Sequence, residues 1–105
     1  MSVIITLRAP GDASQFEQWA ADNQEHMTSI VERAKQHGVI AHRFYGSDDG
    51  QIMVADEWPD EASFQAFFEE TRDQIAPVMG AAGMQGQPEI TTWRSLESHD
   101  KVGWD

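Results

Sequence analysis

The sequence predicts one α+β domain of the order β-α-β-β-α-β, with a four-stranded antiparallel sheet that carries both helices on one face. The length of 105 residues suits a single domain. Along the chain the spacing of apolar residues alternates between a period of two and a period near 3.6, which gives strands and helices in this order. Two right-handed βαβ halves then form one sheet.

The first half of the chain is predicted to contain a strand, a helix and a second strand. Residues 2–8 are apolar and rich in β-branched residues, and Pro10-Gly11 ends this strand. Asp12 or Ser14 can cap one helix that ends at His37-Gly38. The apolar positions of this helix are Phe16, Trp19, Ala20, Met27, Ile30, Val31 and Ala34. Residues 39–45 form the second strand.

The second half repeats this order. Residues 47–50 form a hairpin turn and residues 51–58 the third strand. Pro59-Asp60 opens an amphipathic helix whose apolar positions include Phe64, Phe67, Phe68 and Ile75. Pro77 lacks a backbone donor, so we expect it to end the helix and leave Val78-Met79 as a separate turn. Residues 90–96 form the last strand, so the domain covers residues 1–97 and a polar tail residues 98–105.

The composition excludes several classes of function. The chain has 7 Lys and Arg against 18 Asp and Glu, a formal net charge of −11, which argues against nucleic acid and anionic membranes as partners. It has no cysteine, so disulfides and thiolate metal sites are excluded. No stretch approaches a membrane span, and the first residues lack the pattern of a signal peptide. We therefore expect a cytoplasmic protein.

Both faces of the predicted sheet carry apolar residues. In the first strand Ile5 and Leu7 lie on one side and Ile4 on the other; in the third strand Val54 and Met53 divide in the same way. A sheet with one wet face would alternate between apolar and polar residues. Because two helices cover only one face, we expect a homodimer in which the second face packs against another copy.

Three segments resemble a known family. They are Arg8-Ala9-Pro10-Gly11 at the end of the first strand, Gly38 with His42-Arg43-Phe44-Tyr45 in the second, and residues 57–67, which read EWPDEASFQAF. Over residues 1–96 the chain is similar to the antibiotic biosynthesis monooxygenases of the dimeric α/β-barrel superfamily. The resemblance implies a ferredoxin-like βαββαβ fold that dimerises into an α/β barrel. For activity it leaves cofactor-free oxygenases, haem degraders, isomerases and proteins without known function open.

The resemblance disfavours one of these activities. Trp58 matches the aromatic residue at the end of the third strand in the haem-degrading members. Those members place a histidine ligand on the second helix, where this chain has Phe67 and Phe68. We therefore expect no haem, flavin or tightly bound metal. The cofactor-free oxygenases instead need an apolar pocket, a base, and donors that stabilise an enolate.

Polar residues on the apolar faces of the helices are candidate pocket residues. With 100° per residue from Phe16, Asn23 falls near the centre of the apolar face and His26 at its margin. On the second helix, Thr71 occupies the position equivalent to Asn23, seven residues after Phe64. One interpretation is structural: Asn23 bonds a strand or a buried water, and Thr71 bonds a carbonyl of its own helix. The other is that both line a cavity between helices and sheet.

The strands supply further candidates. His42 is in register with Phe44, so it faces either the cavity or the dimer interface. Asp56 and Trp58 share one strand face, and Arg43 and Tyr45 share another, where an Arg–Asp pair would be cross-strand stabilisation. The four histidines lack the spacing of a metal site.

Two functions remain open. The first is a cofactor-independent monooxygenase acting on a small aromatic or quinol-like molecule, with Asn23, His26 and His42 as catalytic residues. Its substrate-binding residues would be Tyr45, Trp58, Phe67, Phe68 and Thr71. The alternative is a non-catalytic homodimer of the same fold that binds a small apolar ligand or is only structural.

Overall fold

The computed structural model describes residues 2–84 and 86–103, which form four strands and three helices. The elements are β1 (Val3–Pro10), α1 (Ala13–Asp22), α2 (Gln24–Gln36), β2 (Ala41–Gly46), β3 (Gln51–Trp58), α3 (Glu61–Ala81) and β4 (Glu89–Arg94). The third predicted strand has the bounds expected from the sequence. The other strands begin or end one to two residues away from the prediction, which is the usual uncertainty of element ends.

The sheet is antiparallel throughout and has the order β2-β3-β1-β4. This is the order that two right-handed βαβ units produce, with the first and third strands at the centre. Ile5 of β1 pairs with Asp56 of β3 and with Thr92 of β4, and Asp56 in turn pairs with His42 of β2. These four residues therefore point to the same face of the sheet.

The helices cover this face, and the core lies between them and the sheet. Ile5 and Trp58 are fully buried there, together with Phe64 and Phe67 from α3. A second apolar cluster at the other end joins Phe16 of α1 to Ile52 and Val78. The opposite face, which we call the open face, carries Ile4, Thr6, Tyr45, Met53, Ala55, Thr91 and Trp93, together with the charged residues Arg8, Arg43, Glu57 and Glu89.

The prediction of one helix from residue 12 to residue 37 is wrong. Asn23 has φ −131° and ψ 43°, outside the helical region, and it divides the segment into α1 and α2. Its side-chain amide donates a hydrogen bond to the carbonyl of Trp19 at 2.8 Å. Asparagine competes in this way with the helical backbone, which is why it is a poor residue inside a helix. The predicted end holds, since α2 stops at Gln36 and Gly38 takes the left-handed φ of 94°.

The predicted break at Pro77 is also wrong, because α3 continues to Ala81. Asp60 caps the start of the helix, and its side chain accepts a hydrogen bond from the backbone N–H of Ser63 at 2.7 Å. This bond holds the pKa of Asp60 below its ordinary value. Val78 is buried in the second apolar cluster, and its packing keeps the last turn helical in spite of the proline. Tertiary packing here outweighs a local preference.

After β4, residues 95–103 form no helix or strand, and Val102 is exposed. The last two residues of the predicted tail lie outside the described residues. In the part of the chain that the structure describes, no helix has both the length and the apolar character that a membrane crossing needs.

Replacing Pro77 with alanine tests the account of α3. Alanine restores a backbone donor four residues before the end of the helix at Ala81 and removes the ring from the preceding turn, so we expect the free energy of unfolding to rise by about 1–2 kcal/mol. Denaturant unfolding measures this change, with Pro59→Ala, just outside the helix, as the matched control. An unchanged or lower stability of Pro77→Ala would contradict a continuous α3.

Candidate functional site

A pocket of about 90 Å³ lies between α2, α3 and the helix-covered face of the sheet. All of its lining residues except His42 and Asp56 are apolar. The helices contribute Met27, Ile30, Val31, Ala34, Phe64, Phe67, Phe68, Ile75 and Val78, and the strands and the α2–β2 connection contribute Leu7, Val39, Phe44 and Val54. A mostly apolar cavity with a few convergent polar groups is typical of small-molecule sites.

The polar end of the pocket is built around the carboxylate of Asp56. This side chain is 95% buried, with a relative exposure of 5%. His42 Nδ1 donates a hydrogen bond to Oδ1 at 2.7 Å, and the indole Nε1–H of Trp58 donates one to Oδ2 at 3.2 Å. Because both carboxylate oxygens have a donor, the buried charge is compensated on both sides. We call these three residues the His42–Asp56–Trp58 network.

His42 is the exposed end of this network. It lies on β2, an edge strand, and its side chain is 30% exposed, so it stands between the pocket and solvent. Its ring packs edge-on against Phe44, with 5.4 Å between the ring centres. Among the described residues, its Nε2 has no hydrogen-bond partner. With Nδ1 donating to a carboxylate, the neutral imidazole presents Nε2 as an acceptor.

Trp58 is the buried end of the network. The ring is fully buried and contacts Phe64 and Phe67 of α3, with ring centres 5.9 and 5.3 Å away. Its N–H therefore finds its acceptor in Asp56, as a buried indole N–H requires. The packing of α3 on Trp58 thus holds the carboxylate that in turn holds His42.

Charged side chains link the two helices outside the pocket. Arg33 of α2 contacts Glu70 of α3 at 2.7 Å, and His37 bonds the other oxygen of the same carboxylate. The hydrogen bond from His37, aided by Arg33, lowers the pKa of Glu70 from its ordinary value. His37 also packs against Phe67, which lines the pocket. The same side chains that join α2 to α3 therefore support the wall of the pocket.

The residues proposed from the first helix lie away from this pocket. Asn23 is at the junction of α1 and α2. Its side-chain amide donates to the carbonyl of Trp19 in the preceding helix, and it contacts neither a strand nor the pocket through this bond. His26 donates from Nε2 to the carbonyl of Gln74 at 2.8 Å and packs edge-on against Trp19. The prediction that Asn23 and His26 share one helix face assumed an unbroken helix from Phe16 onward. The break at Asn23 removes this assumption.

The remaining candidates divide between the two faces of the sheet. Phe67 and Phe68 line the pocket. Trp58 is outside the lining and is connected to it by a hydrogen bond to Asp56, which lines the pocket. Thr71 is buried and donates to the carbonyl of Phe67 at 2.8 Å, as its structural interpretation expected. Tyr45 is 48% exposed on the open face and does not line the pocket. Their catalytic or binding roles stay predictions.

Asp56 is the residue that sequence reasoning missed as part of a site. Its cross-strand neighbour is His42, whereas Arg43 points to the open face, so the Arg–Asp pair considered from the sequence does not form. The available signal was a carboxylate in β3 in register with Ile52 and Trp58, which are buried, and Val54, which is half-buried. Within residues 2–84 and 86–103, no group of three or more His, Cys, Asp or Glu side chains is arranged to hold a metal ion.

Comparison with known proteins identifies the fold. A conserved protein from Methanosarcina mazei Go1 is 15% identical with a TM-score of 0.65, over 91% of this chain and 94% of the other. A dimeric ferredoxin-like protein from an uncultured marine organism is 11% identical with a TM-score of 0.66, over 96% and 93%. The chain has a ferredoxin-like fold.

A third similar structure is described as an antibiotic biosynthesis monooxygenase. It is 13% identical with a TM-score of 0.63, over 92% of this chain and the whole of the other. The fold expected from the resemblance is thereby confirmed, and at these identities the similarity extends to fold alone. No protein-family model and no curated protein matches the sequence.

Proposed function

We propose that this protein is a cofactor-independent monooxygenase in which His42 removes a proton from a small aromatic substrate bound in the apolar pocket. The observation that carries this proposal is the His42–Asp56 hydrogen bond of 2.7 Å at the polar end of an otherwise apolar cavity. A carboxylate on Nδ1 fixes the tautomer and leaves Nε2 as the base, the arrangement that histidine general bases use. Asp56 is a positioning residue in this proposal, since it acts through His42.

The energetics of Asp56 support a functional interpretation. Moving a carboxylate out of water costs several kcal/mol, and paired charges in a core often contribute no more stability than apolar residues of similar volume. A leucine in this position would fit the apolar surroundings that Ile5, Val54 and Trp58 provide. The presence of a buried carboxylate beside a pocket is better explained by its effect on His42.

The proposed reaction balances with dioxygen as the only co-reactant. His42 Nε2 takes the hydroxyl proton of an electron-rich phenol, and the anion transfers an electron to dioxygen. The resulting radicals combine at the ring carbon opposite the hydroxyl and form a C–O bond. His42 returns its proton to the peroxide anion that this coupling gives, which makes a hydroperoxide. The ring carbon then loses its hydrogen as a proton while the O–O bond breaks, and this proton and the departing hydroxide leave as water, so that a quinone remains. One oxygen atom ends in the quinone and the other in water.

A binding-only function is the second candidate. Among the described residues lining the pocket, His42 and Asp56 are the only polar ones, so no separate donor faces the site where an enolate would form. Oxyanion donors usually account for much of the rate in enolate chemistry. A pocket with one acceptor suits recognition of a hydroxyl group equally well.

Dioxygen uptake with a monocyclic methoxyphenol that has a free para position separates the two candidates. We expect uptake with matching quinone formation in the wild type, and a loss of about 10²–10⁴-fold in kcat for His42→Ala. Asp56→Asn should lower kcat while leaving KM nearly unchanged. His99→Ala, in the tail, is the matched histidine control. Substrate binding without uptake, or uptake that His42→Ala retains, would contradict catalysis by His42.

We further propose that two copies pair through their open faces into a homodimer. Trp93 and Tyr45 are 55% and 48% exposed there, beside Ile4, Met53 and Ala55. Trp93 lies across β1, where its indole N–H donates to Thr6 at 2.9 Å. Exposed apolar residues of this kind on the sheet of a small domain favour self-association, and the charged residues Arg8, Arg43, Glu57 and Glu89 lie on the same face. The similar marine protein, described as dimeric, supports this proposal.

Sedimentation velocity at micromolar concentration tests the homodimer. We expect twice the 11.8 kDa mass of the chain, and an interface burying more than ~1,200 Å² in total. Trp93→Lys on the open face should give a monomer, because a desolvated charge opposes pairing. Ile90→Lys is the matched control, since Ile90 is similarly exposed on the other face of the same strand. A wild-type monomer, or a dimer that survives Trp93→Lys but not Ile90→Lys, would exclude this interface.

A further inference from the structure

The size, charge and polarity of the pocket together limit the ligand that it can hold. Resting on the proposed function, we propose that the substrate is an uncharged phenol with a single ring and one hydroxyl group. Fused-ring phenols and aromatic carboxylates are outside this class. Each restriction comes from a separate feature of the pocket.

The volume sets the number of rings. An engineered protein cavity of ~150 Å³ takes one benzene molecule. The pocket here holds about 90 Å³, so even one ring requires adjustment of a flexible wall residue such as Met27. A second fused ring requires α2 to move away from α3. The Arg33–Glu70 contact and the His37–Glu70 hydrogen bond oppose this separation.

The charges set the charge of the ligand. Within the described chain, no Lys or Arg lines the pocket, because Arg33 is bound to Glu70 outside it and Arg43 points to the open face. The carboxylate of Asp56 is already buried at the polar end. A carboxylate on the ligand would therefore lose its hydration without gaining a cation, and would repel Asp56 if it lay nearby.

The one polar side-chain atom of the described pocket lining without a hydrogen-bond partner sets the number of hydroxyl groups. Nε2 of His42 is available as an acceptor, while each oxygen of Asp56 already accepts one hydrogen bond, from His42 or from Trp58. One hydroxyl can donate to Nε2, and a second hydroxyl at the far end would face only Phe, Ile, Val and Met side chains. Burying that hydroxyl without a partner would weaken binding.

Methyl NMR titrations with four probes test the proposed class. The probes are p-cresol, toluene, 4-hydroxybenzoate and 2-naphthol. We expect p-cresol to shift the methyl signals of Ile30 and Val54, which line the pocket, and to leave the exposed Val102 unchanged. Because its para position carries a methyl group, p-cresol forms no quinone in the proposed reaction, and titrations run without dioxygen report its binding alone.

The comparison of p-cresol with toluene isolates the hydrogen bond to His42. Net hydrogen bonds of 0.5–1.5 kcal/mol correspond to about 2–10-fold in Kd, so we expect p-cresol to bind more tightly than toluene by that factor. In His42→Phe the preference should disappear while toluene binding remains. Retention of the preference in this variant would overturn the assignment of Nε2 as the hydroxyl acceptor.

The other two probes decide size and charge. We expect 4-hydroxybenzoate and 2-naphthol to bind at least tenfold more weakly than p-cresol. Equal or tighter binding of either one, or no shift of pocket methyls with p-cresol, would overturn the proposed class. These results are distinguishable from failure of the proposed function. Oxidation of a fused-ring phenol that depends on His42 would keep the function and exclude the class, whereas p-cresol binding without any oxidation of methoxyphenols would do the reverse.

Discussion

The buried carboxylate of Asp56 is the constraint on which the geometry of the site depends. Placed on a sheet face that packs against helices, it needs donors on both oxygens to offset its desolvation. His42, the cross-strand neighbour on β2, and Trp58, two residues further along β3, supply these donors. The hydrogen bond from His42 to Asp56 leaves Nε2 of the histidine without a partner among the described residues. The hydrogen bond from Trp58 connects the carboxylate to the aromatic core.

The helices determine what surrounds this polar centre. Phe64 and Phe67 of α3 fix the Trp58 ring, and Phe68 and Ile75 continue the apolar wall. The helix break at Asn23 separates α1, which packs near Phe16, from α2, which lines the pocket. An apolar enclosure strengthens every electrostatic interaction inside it. A single His–Asp pair can therefore have a large effect on a ligand bound there.

The sequence predicts the fold well because the relevant signals are local. The β3 strand and its apolar alternation, the Asp60 cap and the Gly38 end are each encoded within a few residues. Pro77 shows the limit of this reasoning, since burial of Val78 by residues distant in sequence keeps α3 intact. Asn23 shows the reverse case, in which one side-chain bond to Trp19 ends a helix that the apolar periodicity would continue.

The site is harder to predict because it depends on register between strands. Ser47 and Gln51 pair directly through a backbone hydrogen bond of 2.9 Å, so the hairpin loop has three residues. With the four-residue turn expected from the sequence, β2 would shift by one position and Ala41 would pair with Asp56. His42 would then point to the other face of the sheet. His42 was identified as a candidate, whereas its pairing with Asp56 required this register. The position of His26 and Asn23 required knowledge of the helix break.

The ring tautomers of His42 and His26 test the central claim most directly. Nitrogen-15 NMR of histidine-labelled protein, recorded at about pH 9 where imidazoles are neutral, distinguishes the two ring tautomers. His42 should carry its proton on Nδ1, toward Asp56, and His26 should carry its proton on Nε2, toward the carbonyl of Gln74. In Asp56→Leu the His42 signal should lose this preference while His26 stays unchanged. A wild-type His42 with its proton on Nε2 would contradict the account, because the nitrogen proposed as the base would then be a donor.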